Sequence, residues 1–139
     1  MSTATRVFRW TEMYGVNIAA LDRQHMDLIE TIHELEVALR AGEGNGSVND
    51  VLERLVNYAD VHFSTEEALM QEHGFPGLSS HRARHDIFRK KIATLIEDFR
   101  ASKPGVPVSL LLFLQTWLKD HLLKTDKLYS AYLNARGVR

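Results

Sequence analysis

The chain has 139 residues, 17 Lys and Arg against 18 Asp and Glu, a formal net charge of −1 and no cysteine. That length is enough for one domain with a sizeable core, and nearly balanced charge gives no electrostatic case for nucleic acid or an anionic membrane surface. Without cysteine there are no disulfides, thiolate zinc sites or cysteine-held iron–sulfur clusters, so any metal must be held by nitrogen and oxygen.

Met1 to Trp10 lacks the apolar run of a signal peptide, and no apolar stretch reaches membrane-spanning length. The expectation is a cytoplasmic chain with no membrane insertion. An arm over residues 1–20, with Trp10 and Tyr14 placed to pack over a bundle, leads into a first helix expected at 21–41. Its apolar positions Leu28, Ile29, Ile32, Leu35 and Leu39 recur at three- and four-residue steps, and Asp22 is a candidate cap. Residues 42–47 (GEGNGS) read as a loop. A second helix is expected at 48–73, with Val48, Val51, Leu52, Leu55, Val56, Ala59 and Phe63 inward, stopped by Gly74 and the Pro76–Gly77 turn. Ser79 or Ser80 starts a third helix, expected at 80–101, with Phe88, Ile92, Leu95, Ile96 and Phe99 as its stripe. After SKPGVP a fourth is expected at 108–131, with Leu110, Phe113, Leu114, Trp117, Leu118 and Leu128 inward. No alternating β-branched run suggests a strand. Short links between long amphipathic helices predict an all-α, up-down-up-down antiparallel four-helix bundle in a single domain covering 1–139.

Ligand-type residues continue these stripes. His25 extends the line of Leu28 and Ile32; His62 and Glu66, four apart, extend Leu55 and Ala59; His81 and His85 extend Phe88 and Ile92; His121 follows Trp117 by four. In an antiparallel bundle the starts of the first and third helices lie beside the ends of the second and fourth. That brings His25, His62, Glu66, His81, His85, His121 and Asp126 to one end. Asp126 is five positions after His121, which rotates it about 140° away on a regular helix. It faces the same centre only if the fourth helix is bent or carries a π-bulge; otherwise it is a solvated acid, and spacing alone leaves both readings open. Five core histidines with no shared partner would strand too many buried nitrogens, and a metal centre supplies that partner. His33 falls toward the polar side and His73 at a helix end, where a dipole interaction accounts for it. Arg82-Ala83-Arg84 and Arg89-Lys90-Lys91 read as solvated faces.

Leu21-Asp22-Arg23-Gln24-His25, His62-Phe63-Ser64-Thr65-Glu66-Glu67, Gly74-Phe75-Pro76, His81-x3-His85 and Trp117-Leu118-x2-His121-x4-Asp126-x2-Tyr129 together resemble the bacterial hemerythrins, over nearly the whole chain. The resemblance implies two non-haem iron ions with a bridging oxide or hydroxide and dioxygen as ligand. By that similarity His81, His85 and His121 would hold one iron, His25 and His62 the other, and Glu66 and Asp126 would bridge them. The iron with fewer histidines is then left with an open position for oxygen. Phe63, Trp117, Leu118 and Leu122 are candidates for a dry oxygen pocket, as well as for ordinary core packing. Reversible oxygen binding for storage, transport or delivery is the implied function, with no enzymatic step. An oxygen-consuming enzyme or a signalling partner would be the recipient.

The rivals differ in what they explain. A sensor or peroxidase-type enzyme on the same fold uses the same ligands. A ferritin-like centre needs two inward Glu-x-x-His pairs, and only Glu30-Thr31-Ile32-His33 fits, off the stripe. An HD-type phosphohydrolase reading of His62, His85-Asp86 and Asp126 leaves His25, His81 and His121 unexplained.

Overall fold

The computed structural model describes residues 9–139, which form four long helices with no strand among them. Residues 1–8 of the expected arm lie outside the described residues. Helix α1 is Ala19–Arg40, α2 spans 44–72, α3 is Leu78–Arg100 and α4 spans 106–134. Short connections fold each helix back on the last, giving an up-down-up-down antiparallel bundle.

Leu21, Leu28, Ile29, Ile32 and Leu35 of α1 are buried, and His25 lies buried on the same stripe. Asp22 does not cap the helix. Ile18 occupies that position, and the Asp22 carboxylate accepts the Val16 N–H at 2.7 Å, tying the arm to the first turn. The arm is also fastened to α4: Ser130 Oγ donates to the Val16 carbonyl at 2.9 Å, and Lys127 Nζ donates to that of Gly15.

Helix α2 begins at Gly44, inside the stretch that composition marks as loop. Gly44 is buried at the turn, and a Cβ there would lie 2.7 Å from Leu39 Cδ2 and 3.2 Å from Pro107 Cβ. Close packing against α1 and α4 thus overrides the loop composition. At the other end, Gly74 takes φ +67°, and the Phe75 N–H donates to the Met70 carbonyl at 2.8 Å. This is the left-handed glycine stop expected from sequence.

Two helices widen into π-turns. In α2 the segment is Ala59–Phe63, in α4 Leu118–Thr125. The second changes which residues face inward. Leu118, His121, Leu122, Thr125, Asp126, Tyr129 and Leu133 are buried, while Leu128, expected on the apolar stripe, is 68% exposed. Val56, also expected inward, is 42% exposed.

The apolar interior falls into two clusters. The larger fills the bundle between Leu28, Leu55, Phe63, Phe88, Trp117 and Leu122. The smaller, built on Val16, Leu21, Met70, Tyr129 and Leu133, closes one end. Trp10 and Tyr14 of the arm pack on the larger cluster, as their aromatic character suggests. No described helix is long and apolar enough to cross a membrane.

Candidate metal centre

The seven ligand-type residues meet. His25, His62, Glu66, His81, His85, His121 and Asp126 are each 3% exposed or less, far below the usual exposure of such residues. Their ligand atoms form two groups, each within 4.8 Å: Glu66, His81, His85 and His121 in one; His25, His62, Glu66 and Asp126 in the other. The imidazole rings divide the same way. His25 and His62 lie 4.6 Å apart between centroids, while His81, His85 and His121 form a trio at 4.5 to 5.1 Å.

The π-turns make this convergence possible. The Asp126 N–H donates to the His121 carbonyl, five residues back, and Thr125 Oγ1 donates to the Asp120 carbonyl at 3.0 Å. The wider turn swings Asp126 inward, so that its Oδ1 lies 2.9 Å from His121 Nε2. Of the two readings that spacing left open, the solvated acid is excluded: Asp126 is fully buried. The α2 π-turn allows the adjacent residues His62 and Phe63 both to face inward. Phe63 then stacks on the His85 ring at 3.7 Å.

The two carboxylates stand between the groups. Asp126 Oδ1 faces His81 at 3.2 Å as well as His121, while its Oδ2 faces His25 at 3.3 Å. Glu66 Oε1 faces His62 at 2.9 Å and His85 at 3.5 Å, and its Oε2 faces His81 at 3.6 Å. Metal–ligand bonds of about 2.1 Å place neighbouring octahedral ligands about 3 Å apart, so these separations suit edges of a coordination shell.

Hydrogen bonding supports a metal. Five imidazole Nε2 atoms and four carboxylate oxygens are buried without a hydrogen bond. Each such atom costs about 1–3 kcal/mol, a load this bundle carries only if something else binds them. The far side of three rings is fixed. His25 Nδ1–H donates to the Tyr14 carbonyl at 3.1 Å, His62 Nδ1–H to Gln24 Oε1 at 2.5 Å, and His85 Nδ1–H to Glu67 Oε2 at 2.8 Å. Each bond sets the tautomer that turns the Nε2 lone pair to the centre. Glu67 is held in turn by Arg82 Nε at 3.1 Å, and Arg89 lies over the Phe63 ring at 5.2 Å. These arginines were expected to be merely solvated.

Without a metal, protons take its place. Burial would lower His81, but the facing carboxylates of Asp126 and Glu66 raise it to about 9. Burial would raise Glu66, yet the facing imidazoles of His62, His81 and His85 hold it well below the usual carboxylate range. His62 is lowered by burial, against the pull of Glu66.

The other expectations fall outside the cluster. His33 is half-buried on α1, away from both ligand groups, and His73 sits at the end of α2, where its carbonyl accepts from Tyr132 Oη at 2.6 Å. Phe63, Trp117, Leu118 and Leu122 are all buried in the larger apolar cluster, with Phe63 stacked on His85 and Trp117 on His121. Sequence reading missed Gln24, Glu67 and Tyr14 as partners of the ligands. Gln24 and Glu67 were findable as polar neighbours of His25 and Glu66. Tyr14 acts through its backbone, which leaves no mark in sequence.

Residues 16–133 match the family model described as the hemerythrin HHE cation binding domain. The chain is 33% identical to a bacteriohemerythrin of Methylococcus capsulatus over 91% of this chain and 96% of the relative. It is 30% identical to a bacteriohemerythrin of Stenotrophomonas maltophilia, covering 91% and 81%. Among solved structures, a wild-type hemerythrin superposes with a TM-score of 0.80 at 30% identity, over 91% of this chain and 98% of that one.

Proposed function

The chain belongs to the hemerythrin family, whose members bind oxygen at a di-iron site, and we propose that it binds dioxygen reversibly, as a carrier or store and not as an enzyme. In this reading His81, His85 and His121 would hold one iron and His25 and His62 the other, with Glu66 and Asp126 shared between them. The observation that carries it is the uneven division of the histidine rings, three against two, around two shared carboxylates. The side with two histidines is one donor short, which leaves room for a ligand there.

When bound, two reduced irons supply the electrons that dioxygen accepts and take them back on release. The residues of the chain make that exchange reversible. Phe63, Leu118 and Leu122, each at most 1% exposed, and Trp117 at 7%, wall the centre with apolar surface. A dry wall slows the entry of protons and the escape of reduced oxygen as peroxide. Glu66 and Asp126 hold the two halves together in a fixed relation, since each faces histidines of both groups. Tyr14, Gln24 and Glu67 keep the imidazoles from turning.

A cleft of about 420 Å³ between α1 and α2 reaches inward to Gln24, Tyr58 and His62, on the two-histidine side. It gives a small molecule a route to the open position. The test is repeated cycling: the iron-loaded, reduced protein takes up oxygen in air and returns it on evacuation, with iron content unchanged. A centre that reacts with oxygen instead of storing it would go straight to the oxidised form and return no oxygen on evacuation.

A further inference from the structure

The larger apolar cluster contains a chemical exception. Among its buried members, Tyr58 and Trp117 are the two that carry a polar side-chain atom. Both atoms, the Tyr58 hydroxyl and the Trp117 indole N–H, are buried without a hydrogen bond. A buried donor left without a partner is destabilising, and a phenylalanine at either position would avoid it. Native interiors rarely keep such atoms without a use.

Their placement indicates the use. Tyr58 is one turn before His62 and stacks on its ring at 4.8 Å and 18°. Trp117 is one turn before His121 and stacks on that ring at 4.0 Å and 13°. The two thus stand over opposite halves of the centre, one over the pair of histidines and one over the trio. They approach each other: the Trp117 N–H bears on the Tyr58 hydroxyl, and the charges of Glu66 and Asp126 reach it. Both belong to the cluster that holds Phe63, Leu118 and Leu122, not to the one around Tyr129 on the other side of the centre. Tyr58 also lines the inner end of the cleft that leads in from solvent to His62.

An indole N–H can only donate, and a tyrosine hydroxyl is protonated at neutral pH. The Trp117 N–H is turned toward the Tyr58 oxygen, so the Tyr58 O–H is the donor left beside the two-histidine side, and nothing among the described residues accepts from it. The missing acceptor is a small molecule with lone pairs on its outer atom. We propose that Tyr58, seconded by Trp117, donates a hydrogen bond to the outer atom of the ligand held at the two-histidine side. The pocket then favours ligands that carry negative charge there over neutral ones of the same size. This rests on the di-iron reading, but not on reversible oxygen binding.

The experiment uses azide on the oxidised, iron-loaded protein, because azide has a lone-pair terminus and needs no oxygen cycle. Tyr58→Phe keeps the ring and removes only the hydroxyl. Iron content should stay at the wild-type value, and the metal-free variant should be as stable as wild type or slightly more so. Azide affinity should fall about five- to tenfold, the latter corresponding to about 1.4 kcal/mol. The azide stretching band should shift between light and heavy water in wild type and not in the variant. Trp117→Phe should show a smaller loss. Unchanged azide affinity in Tyr58→Phe at full iron content, or an isotope shift that persists in it, would overturn the proposal. Failure of the wild type to cycle oxygen while the azide effect holds would count only against the carrier reading.

Discussion

Asp126 and His121 face the same centre although five residues separate them on one helix, their ligand atoms 2.9 Å apart. A regular helix would hold them about 140° apart. The π-turn over Leu118–Thr125 absorbs one extra residue and brings the carboxylate in. The same extra residue turns Leu128 out to solvent and Tyr129 and Leu133 into the interior.

That shift has a direct consequence for stability. Leu128→Glu should change the denaturation free energy of the metal-free protein by less than about 0.5 kcal/mol, as exposed substitutions do. Leu133→Ala should cost about 2–5 kcal/mol, as a buried leucine does. Urea titrations measure both, and a core-sized loss at Leu128 would mean that the fourth helix is regular.

The ligand assignment separates histidines that composition cannot. His85→Ala should lower bound iron below two per chain, while His33→Ala should leave it unchanged. Metal analysis after reconstitution decides, and equal losses would show that the ligand set is wrong.

Gln24 and Glu67 hold the Nδ1 sides of His62 and His85. Gln24→Ala and Glu67→Ala should still load iron when it is in excess, but with affinity lowered about 10- to 100-fold. Faster loss of iron to a chelator, with helix content preserved, is the expected signature. Retention equal to wild type would mean that the Nδ1 bonds do not orient the rings.

Proton competition gives a pH dependence. In the metal-free protein His81 is raised from 6.5 to about 9 by Asp126 and Glu66, against the opposing effect of burial. Its contribution to stability is therefore full below pH 6.5 and is lost as pH rises through about 9. His62 works in the other direction: burial lowers it, so its cost grows as pH falls below 6.5. Thermal melts of the metal-free protein should show stability declining between pH 7 and 9, and His81→Gln should flatten that decline. Iron uptake should release protons in the same window. A metal-free protein that gains stability toward pH 9 would contradict this reading of His81.

How much of this the sequence carried depends on which physical signal was at work. The helices and their inward histidines were legible because a 3.6-residue stripe survives in the pattern of apolar residues. The start of α2 was not, because the fit of Gly44 against Leu39 and Pro107 is tertiary. The α4 π-turn showed only as a misfit, the five-residue step to Asp126. Leu128 was misplaced because the stripe was continued past that step without the slip. The α2 π-turn left no misfit at all, since His62 and Glu66 are four apart. Tyr58 went unremarked because an aromatic residue inside an apolar stripe looks like core until its hydroxyl is found without a partner.

The most direct measurement is the visible spectrum of the reduced, iron-loaded protein carried between air and vacuum. Reversible oxygen binding predicts charge-transfer absorption that appears in air, disappears on evacuation and returns on readmission of air through several cycles. Direct conversion to the oxidised spectrum, with hydrogen peroxide released into solution and no recovery under vacuum, would contradict it.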